Sequence, residues 1–210
     1  MACYGPVNVA IRRKPAAGSS VRVLDMQLVA CGSCLGCRTD QARHWAVRMM
    51  HEYQMQKPAW FVTMTYSPEF LPEFGSLSKR DAQLFLKRLR KHFSVVKYGA
   101  RGGKTRVYQR LSYYLCGEYG EKFNRPHYHM VLFGVKFLDR QWMAERNGQD
   151  TFVSETLSRV WGKGWCDFTG VTFAGARYVA NYVRKKVVKS QDEDAYLRVD
   201  PETGVLCEVE

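Results

Sequence analysis

Pro126-His127-Tyr128-His129-Met130-Val131-Leu132-Phe133 is the stretch whose reading decides the architecture. It is apolar and rich in strand formers, and the segment His127–Val135 reads as a β-strand. Side chains alternate faces along a strand, so His127 and His129 share one face and Tyr128 points to the other. Two imidazoles on one face can close on a single metal ion. The chain has five histidines, and two of them stand here. The competing reading is an ordinary hairpin strand with two polar side chains. The rigid Arg125-Pro126 and a glutamate upstream favour the ligand pair.

That glutamate is Glu118, at the end of a second predicted strand over Val107–Glu118. A polar loop, Tyr119–Pro126, holds Gly120 and Asn124 and predicts a hairpin. A tight return would bring Glu118 level with the histidines. Two neutral imidazoles and a carboxylate then make a divalent-cation site with positions open to substrate. Glu121 competes for the role but lies within the loop.

Further out, Val21–Ala30 reads as a strand and Gln41–Met55 as a helix, capped by Thr39 or Asp40 and carrying Trp45, Met49 and Tyr53 on one face. Trp60–Tyr66 is aromatic and β-branched, hence a strand. Ser78 with Asp81 opens a helix through about Phe93, with Leu84, Phe85 and Leu89 as its core stripe. Gly99–Lys104 reads as a flexible turn. A helix is placed within Thr151–Trp161, a strand at Trp165–Thr172 and a last helix at Ala174–Lys189. Helices set between mostly non-adjacent strands predict an α+β fold with an antiparallel sheet. The expected division is an N-terminal cysteine-rich element with its helix (1–56), a central domain (57–190) and an acidic tail (191–210).

Charge points to the partner. Lys and Arg total 32 against 20 Asp and Glu, a net +12. Eleven basic residues and one acid lie between Lys79 and Arg110, whereas the last 20 residues hold seven acids and Arg198 alone. Without that tail the remaining 190 residues carry +18. Basic segments on both sides of the histidine strand suit nucleic acid better than a merely solvated basic face. Lys87, Arg88, Lys91, Arg106, Arg110, Arg184 and Lys186 are the expected contacts to a DNA backbone. No run approaches the ~18 apolar residues of a transmembrane helix. The first 14 residues lack the apolar stretch of a signal peptide, so a cytoplasmic location and no membrane partner are expected.

The last predicted helix carries Tyr178 and Tyr182 four residues apart, hence on one face, followed by Arg184, Lys185 and Lys186. Such an aromatic stripe is often only core. A phenol of ordinary pKa ~10 is a poor nucleophile, and a cation lowers that barrier. Lys185, three residues beyond Tyr182, is within reach. Joined to the metal site, the pair suits attack on a phosphate, with the broken strand held as a phosphotyrosine and a second tyrosine one turn away.

These residues resemble a known family. His127-Tyr128-His129 is similar to the His-hydrophobe-His motif of the HUH endonucleases, which initiate rolling-circle replication and conjugation. Phe61-Val62-Thr63-Met64-Thr65-Tyr66 resembles their first motif, and Tyr178-Val179-Ala180-Asn181-Tyr182 with Lys185 resembles the third in its two-tyrosine form. Met1-Ala2-Cys3-Tyr4, the Cys-Gly-x-Cys-x-x-Cys-Arg run at 31–38 and the Tyr66-Ser67-Pro68 turn resemble the gokushovirus branch of microvirus replication initiators. The resemblance spans Cys3 to about Lys189. It implies a central five-stranded antiparallel sheet flanked by helices, with Glu118, His127 and His129 holding Mg²⁺ or Mn²⁺. It implies nicking of single-stranded viral origin DNA in the bacterial host cytoplasm, leaving a 3′-OH and a 5′-phosphotyrosine, with rejoining to follow and the host replication machinery as a further partner. Tyr178 lacks a Lys three residues on, whereas Tyr182 has one, so the leading nucleophile stays open. The tail at 191–210 is expected to begin a truncated C-terminal part, and no helicase Gly-x-x-x-x-Gly-Lys is present.

Seven cysteines in a cytosolic chain argue against a disulfide framework. Cys31, Cys34 and Cys37 offer three thiolates, and Cys3 could complete a Cys₄ zinc site. An iron–sulfur run and free thiols are the alternatives, and His44 is a substitute for Cys3. The function classes left open are the HUH nuclease, a non-catalytic zinc-bearing single-strand-binding module, and a tyrosine transposase or relaxase.

Overall fold

The computed structural model describes residues 3–12, 24–98, 104–107, 111–120, 123–189, 197–199 and 206–208. The expected turn at 99–103, Arg110, Glu121 and most of the acidic tail lie outside them. Of Arg106, Arg184, Lys185 and Lys186, only the backbone is described.

In chain order the elements are β1 (Val7–Arg12), β2 (Leu24–Val29), α1 (Leu35–Met55), β3 (Ala59–Thr65), α2 (Lys79–His92), β4 (Val95–Tyr98), β5 (Lys104–Val107), β6 (Ser112–Tyr119) and β7 (Pro126–Phe133). Then come β8 (Arg140–Arg146), β9 (Gln149–Ser154), α3 (Glu155–Trp161), β10 (Cys166–Gly170), α4 (Phe173–Lys189), β11 (Leu197–Val199) and β12 (Leu206–Glu208). The α+β reading holds. The main sheet is antiparallel, but it has six strands in the order β6-β7-β3-β10-β9-β8, not five. Among the described residues, β1–β2, β4–β5 and β11–β12 pair separately.

The strands that the sequence reading missed are the hairpin β8–β9. Arg140–Arg146 is composed of good helix formers and is mostly exposed, so periodicity says little. The available signal was Asn147-Gly148, both at positive φ (52° and 71°), the type I′ pair that closes two-residue hairpins. The helix expected within Thr151–Trp161 starts only at Glu155, because Thr151–Ser154 completes β9 and Ser154 then caps α3 by accepting from the Leu157 N–H. The expected cap of α1 is also corrected. Cys34, not Thr39 or Asp40, starts that helix, its sulfur accepting from the Cys37 N–H. Ser78 caps α2 as read, accepting from the Asp81 N–H.

Strand β7 shows why the fold closes. Tyr128, Met130 and Leu132 enter a core with Val62, Met64, Phe85, Leu89, Leu157 and Trp161, beneath α2 and α3. Val131 and Phe133 point the other way, into a core with Ala42, Ala46 and Met49 of α1 and Ala176, Val179 and Ala180 of α4. Each fully buried Phe or Leu contributes about 1.5–3 kcal/mol, so a strand buried on both faces is held firmly in register. His127 and His129 occupy the face of Val131, at the end that α1 leaves open.

Candidate functional site

Strand pairing builds the site. Glu118 of β6 stands directly opposite His127 of β7, as the hairpin reading expected, and His129 stands opposite Cys116. On the other side β3 places Thr65 beside His127 and Thr63 beside His129. The imidazole Nε2 atoms of His127 and His129 lie 3.7 and 3.3 Å from Glu118 Oε2. One ligand atom from each residue falls within 4.8 Å of the others. The far nitrogens are engaged behind. His127 Nδ1 lies 3.1 Å from the Arg125 carbonyl, and His129 Nδ1 lies 3.4 Å from Thr63 Oγ1. A carbonyl can only accept, so His127 Nδ1 carries a proton and its Nε2 lone pair faces Glu118 when the ring is neutral.

Burial would raise the pKa of Glu118, but hydrogen bonds from His127, His129 and Tyr182 outweigh it and hold the carboxyl well below the usual range. Burial lowers His127, and its bond to Glu118 more than reverses this, so it titrates above an ordinary histidine. An ionised carboxylate and two imidazoles, drawn together on a floor that is otherwise buried, fit a divalent cation with nitrogen and oxygen ligands.

Helix α4 brings the tyrosines to this cluster. The Tyr178 hydroxyl donates to Glu118, 3.1 Å from both Oε1 and Oε2. Its ring lies 5.4 Å from that of His129 and 4.7 Å from that of Tyr182. Burial, the Tyr182 hydrogen bond and the Glu118 charge push the Tyr178 phenol up. Phenolate formation there therefore requires a positive charge at Glu118. The helix comes this close because residue 175 is glycine: a Cβ there would lie 3.2 Å from Phe61 of β3.

Glu118, His127, His129, Tyr178 and Tyr182 are thus brought together as read. Lys185 lies on the same helix, three residues past Tyr182. The expected DNA contacts Lys87, Arg88 and Lys91 belong to α2, on the opposite face of the sheet from the histidines. The Arg88 guanidinium donates from Nε to the Val160 carbonyl at 2.7 Å and from Nη2 to the Trp161 carbonyl at 2.8 Å, so it closes the end of α3.

Sequence reasoning missed the buried support of this site. Tyr128, between the two histidines, donates to the Ser78 carbonyl at 2.8 Å and accepts from the Ser78 N–H at 2.8 Å. Tyr66 donates to Asp81 at 3.1 Å, and Asp81 pairs with Lys163 at 3.1 Å. Arg125 Nη2 donates to the Tyr66 carbonyl at 2.8 Å. The alternating tyrosine of the His-x-His run was the only hint.

A second cluster joins Cys3, Cys31, Cys34 and Cys37, with all four sulfurs within 4.8 Å. Recorded Sγ–Sγ distances are 3.6 Å (Cys3–Cys31), 3.9 Å (Cys31–Cys37) and 3.9 Å (Cys3–Cys34). A tetrahedron with Zn–S bonds of about 2.3 Å has edges of about 3.8 Å, so the four thiols are compatible with zinc. Cys3 completes the set, whereas His44 is exposed and outside it. The N–H of Cys34 donates to Cys31 Sγ at 3.4 Å, and the N–H of Cys37 donates to Cys34 Sγ at 3.4 Å. The Cys34 N–H is the main cause that draws the Cys31 thiol down to about 6, while burial pushes Cys37 up to about 12.

Comparison with known proteins identifies the relatives. A model of the family of the replication-associated protein ORF2 matches residues 59–187, about three fifths of the chain. The chain belongs to this family. It is 34% identical over 165 residues to the replication-associated protein VP4 of Bdellovibrio phage phiMH2K, covering 78% of this chain and 50% of the relative. It is 34% identical over 166 residues to the replication-associated protein ORF2 of Spiroplasma virus 4, covering 76% and 48%. The replication-associated protein ORF4 of Chlamydia phage 1 is 27% identical over 170 residues, covering 79% and 40%. The chain spans about half the length of the curated relatives it matches or less. These relatives support the reading of a microvirus-like replication initiator. No solved structure matches. Among the described residues no helix is long and apolar enough to cross a membrane.

Proposed function

We propose that this member of the replication-associated family is a metal-dependent endonuclease of the HUH type that nicks single-stranded DNA at a phage origin and rejoins it. One observation carries the reading: the Tyr178 hydroxyl is hydrogen-bonded to the same carboxylate that gathers the two histidines. Glu118, His127 and His129 would hold Mg²⁺ or Mn²⁺, and the bound cation would supply charge stabilisation to the phosphoryl oxygens. The chain's own residues do the rest. Tyr178 is positioned to attack phosphorus, and its phenolic proton is lost on the way. The Tyr178 Oη–P bond forms as the P–O3′ bond breaks, and the departing oxygen takes up a proton to become the 3′-OH. The 5′-phosphate stays on the tyrosine. Tyr182, with its ring 4.7 Å away, can make the second attack and so permits strand transfer from the first adduct. Lys185 is proposed to steady the phenolate of Tyr182.

The Cys₄ cluster is proposed to hold a structural zinc ion that fastens the start of the chain to α1. Arg184 and Lys186 are proposed contacts to the DNA backbone, in the cytoplasm of the bacterial host. The division into 1–56, 57–190 and 191–210 stands as a proposal. Helix α1 does share a core with α4.

Incubation with viral-origin single strand and Mn²⁺, followed by a denaturing gel, tests the reading. A covalent protein–DNA band is expected from the wild type, absent in Tyr178→Phe and retained as a single-turnover product in Tyr182→Phe. The reverse pattern names Tyr182 as the leading nucleophile. No band with any origin strand, despite tight binding, leaves only the non-catalytic single-strand-binding module.

A further inference from the structure

Beside the metal cluster, on the same sheet face, lies a cavity of about 550 Å³ that the mechanism above does not use. Helices α1 and α4 lie over β6 and β7, whereas the cavity is floored by β3, β10 and β9. Its wall toward the histidines is Phe61, whose ring centroid is 5.3 Å from that of His129. Thr151 and Thr169 lie in the floor, paired across β9 and β10. The Thr151 hydroxyl is buried with no hydrogen-bond partner among the described residues, so the floor has a polar demand that the protein does not meet. At the far side stand Asp167 and Arg146, with Arg146 Nη1 3.4 Å from Asp167 Oδ2. Trp165 Nε1 also donates to Oδ2 at 3.4 Å and orients the carboxylate.

We propose that this cavity is a base-recognition subsite, in which Asp167 and Arg146 read guanine at a nucleotide adjoining the cleaved phosphate. The inference rests on the nuclease reading for the identity of the ligand as single-stranded DNA.

Position supports it. Asp167 pairs with Thr63, and Thr63 pairs with His129, so the carboxylate lies two strands from the metal ligand, about 10 Å along the sheet. That is the reach of a nucleotide from its phosphate to the far edge of its base. Charge supports it too. A carboxylate repels a phosphate, so what faces Asp167 is a base edge and not the DNA backbone. Phe61 offers an aromatic surface against which an unstacked base can lie.

The pair then selects among bases. An ionised carboxylate only accepts hydrogen bonds, and a guanidinium only donates them. The Watson–Crick edge of guanine runs acceptor O6, donor N1–H, donor N2–H₂. Arg146 complements the first and Asp167 the other two. Adenine and cytosine each place an acceptor where guanine has N1–H. Thymine places an acceptor on both sides of its single N–H, one of which opposes the carboxylate.

Fluorescence anisotropy with labelled short oligo(dT), carrying one central dG, dA, dC or no substitution, tests this without added Mg²⁺ or Mn²⁺, so that no strand is cut. Wild-type protein is expected to bind the dG strand about tenfold more tightly than oligo(dT), the size of one good two-point base contact. Asp167→Asn, which places an amide donor against N1–H or N2–H₂, is expected to bring that ratio close to one while leaving oligo(dT) affinity unchanged. Arg146→Gln lowers the ratio and leaves it above one; this exposed position serves as the second probe should Asp167→Asn not fold. A ratio near one in the wild type overturns the subsite, and so does an undiminished ratio in well-folded Asp167→Asn. Adduct formation with no base preference overturns the subsite alone, and base preference with no adduct overturns the nuclease reading alone.

Discussion

Glu118, His127 and His129 meet through strand pairing, whereas Cys3, Cys31, Cys34 and Cys37 meet through a loop and a chain terminus 28 residues away. Both clusters keep their ligand atoms within 4.8 Å. They differ in what holds them there. The first is fixed by β6, β7 and β3, and β7 is buried against helices on both faces. The second hangs on the β1–β2 pair, whose Val9, Met26 and Leu28 side chains are exposed, and on N–H donors to sulfur. A site built on a sheet exists before its ion and can be spent on chemistry. A site built on loops needs the ion as its core.

The largest expected effect tests that contrast directly. His129→Ala should reduce covalent adduct formation about a thousandfold, the worth of several kcal/mol of charge stabilisation, while thermal melting hardly moves. Melting that falls together with activity would make the histidine cluster structural and erase the difference. Zinc removal or Cys34→Ser should do the opposite. It should lower the melting temperature by about 10 °C and expose the amides of β1, β2 and the first turn of α1 to exchange. The β3 and β7 amides should stay protected. Loss of protection in β7 as well would show that the two sites are one cooperative unit.

A smaller effect probes the rigid side. Gly164 has φ +146°, and a Cβ there would lie 2.4 Å from both the Thr65 carbonyl oxygen and the Ser67 nitrogen. Gly164→Ala should cost about 3 kcal/mol by denaturant titration and disturb the edge of the site through Thr65, which stands beside His127. A neutral result would show that the loop before β10 yields easily.

The smallest effect concerns protons. His127 titrates above its ordinary value of ~6.5, so below that point the ring is charged and repels a cation. Calorimetry should find Mn²⁺ affinity rising about tenfold per pH unit until the raised pKa is passed, then levelling. The sign for metal-free stability is reversed. The charged His127–Glu118 pair stabilises the fold below ~6.5, and the gain is lost as pH rises through the raised value. The cysteine site should release protons chiefly from Cys37, held up to about 12 by burial, while Cys31, drawn down to about 6, is already a thiolate at neutral pH. Flat Mn²⁺ affinity across this range would mean that His127 is not a ligand.

Much of this site was legible beforehand, for local reasons. Alternation put His127 and His129 on one face, a four-residue step put Tyr178 and Tyr182 on another, and Cys-x-x-Cys-x-x-Cys announced itself. Glu118 could be chosen over Glu121 because a hairpin returns its strand end opposite the start of the next. The misreadings have local reasons too. Thr39 and Asp40 are good caps by type, yet the cysteine loop begins α1 five residues earlier, at Cys34. Arg140–Arg146 looks helical by composition and is an edge strand because it pairs with β9, and this gave the sixth strand. The α2 cations were expected at DNA from charge alone, and Arg88 instead closes the end of α3.

By itself, then, the sequence determined which residue types can carry chemistry and which share a face, because strand and helix periodicity are properties of the backbone. Only the tertiary structure decided which faces meet. It set the Tyr178 hydroxyl on Glu118, seated Tyr128 on Ser78 beneath the histidines, and placed Asp167 two strands from His129. Those contacts join positions 50 and 60 residues apart for Tyr128–Ser78 and Tyr178–Glu118. They follow from strand order and helix packing, which minimise exposed apolar surface over the whole chain and leave no mark at any one position.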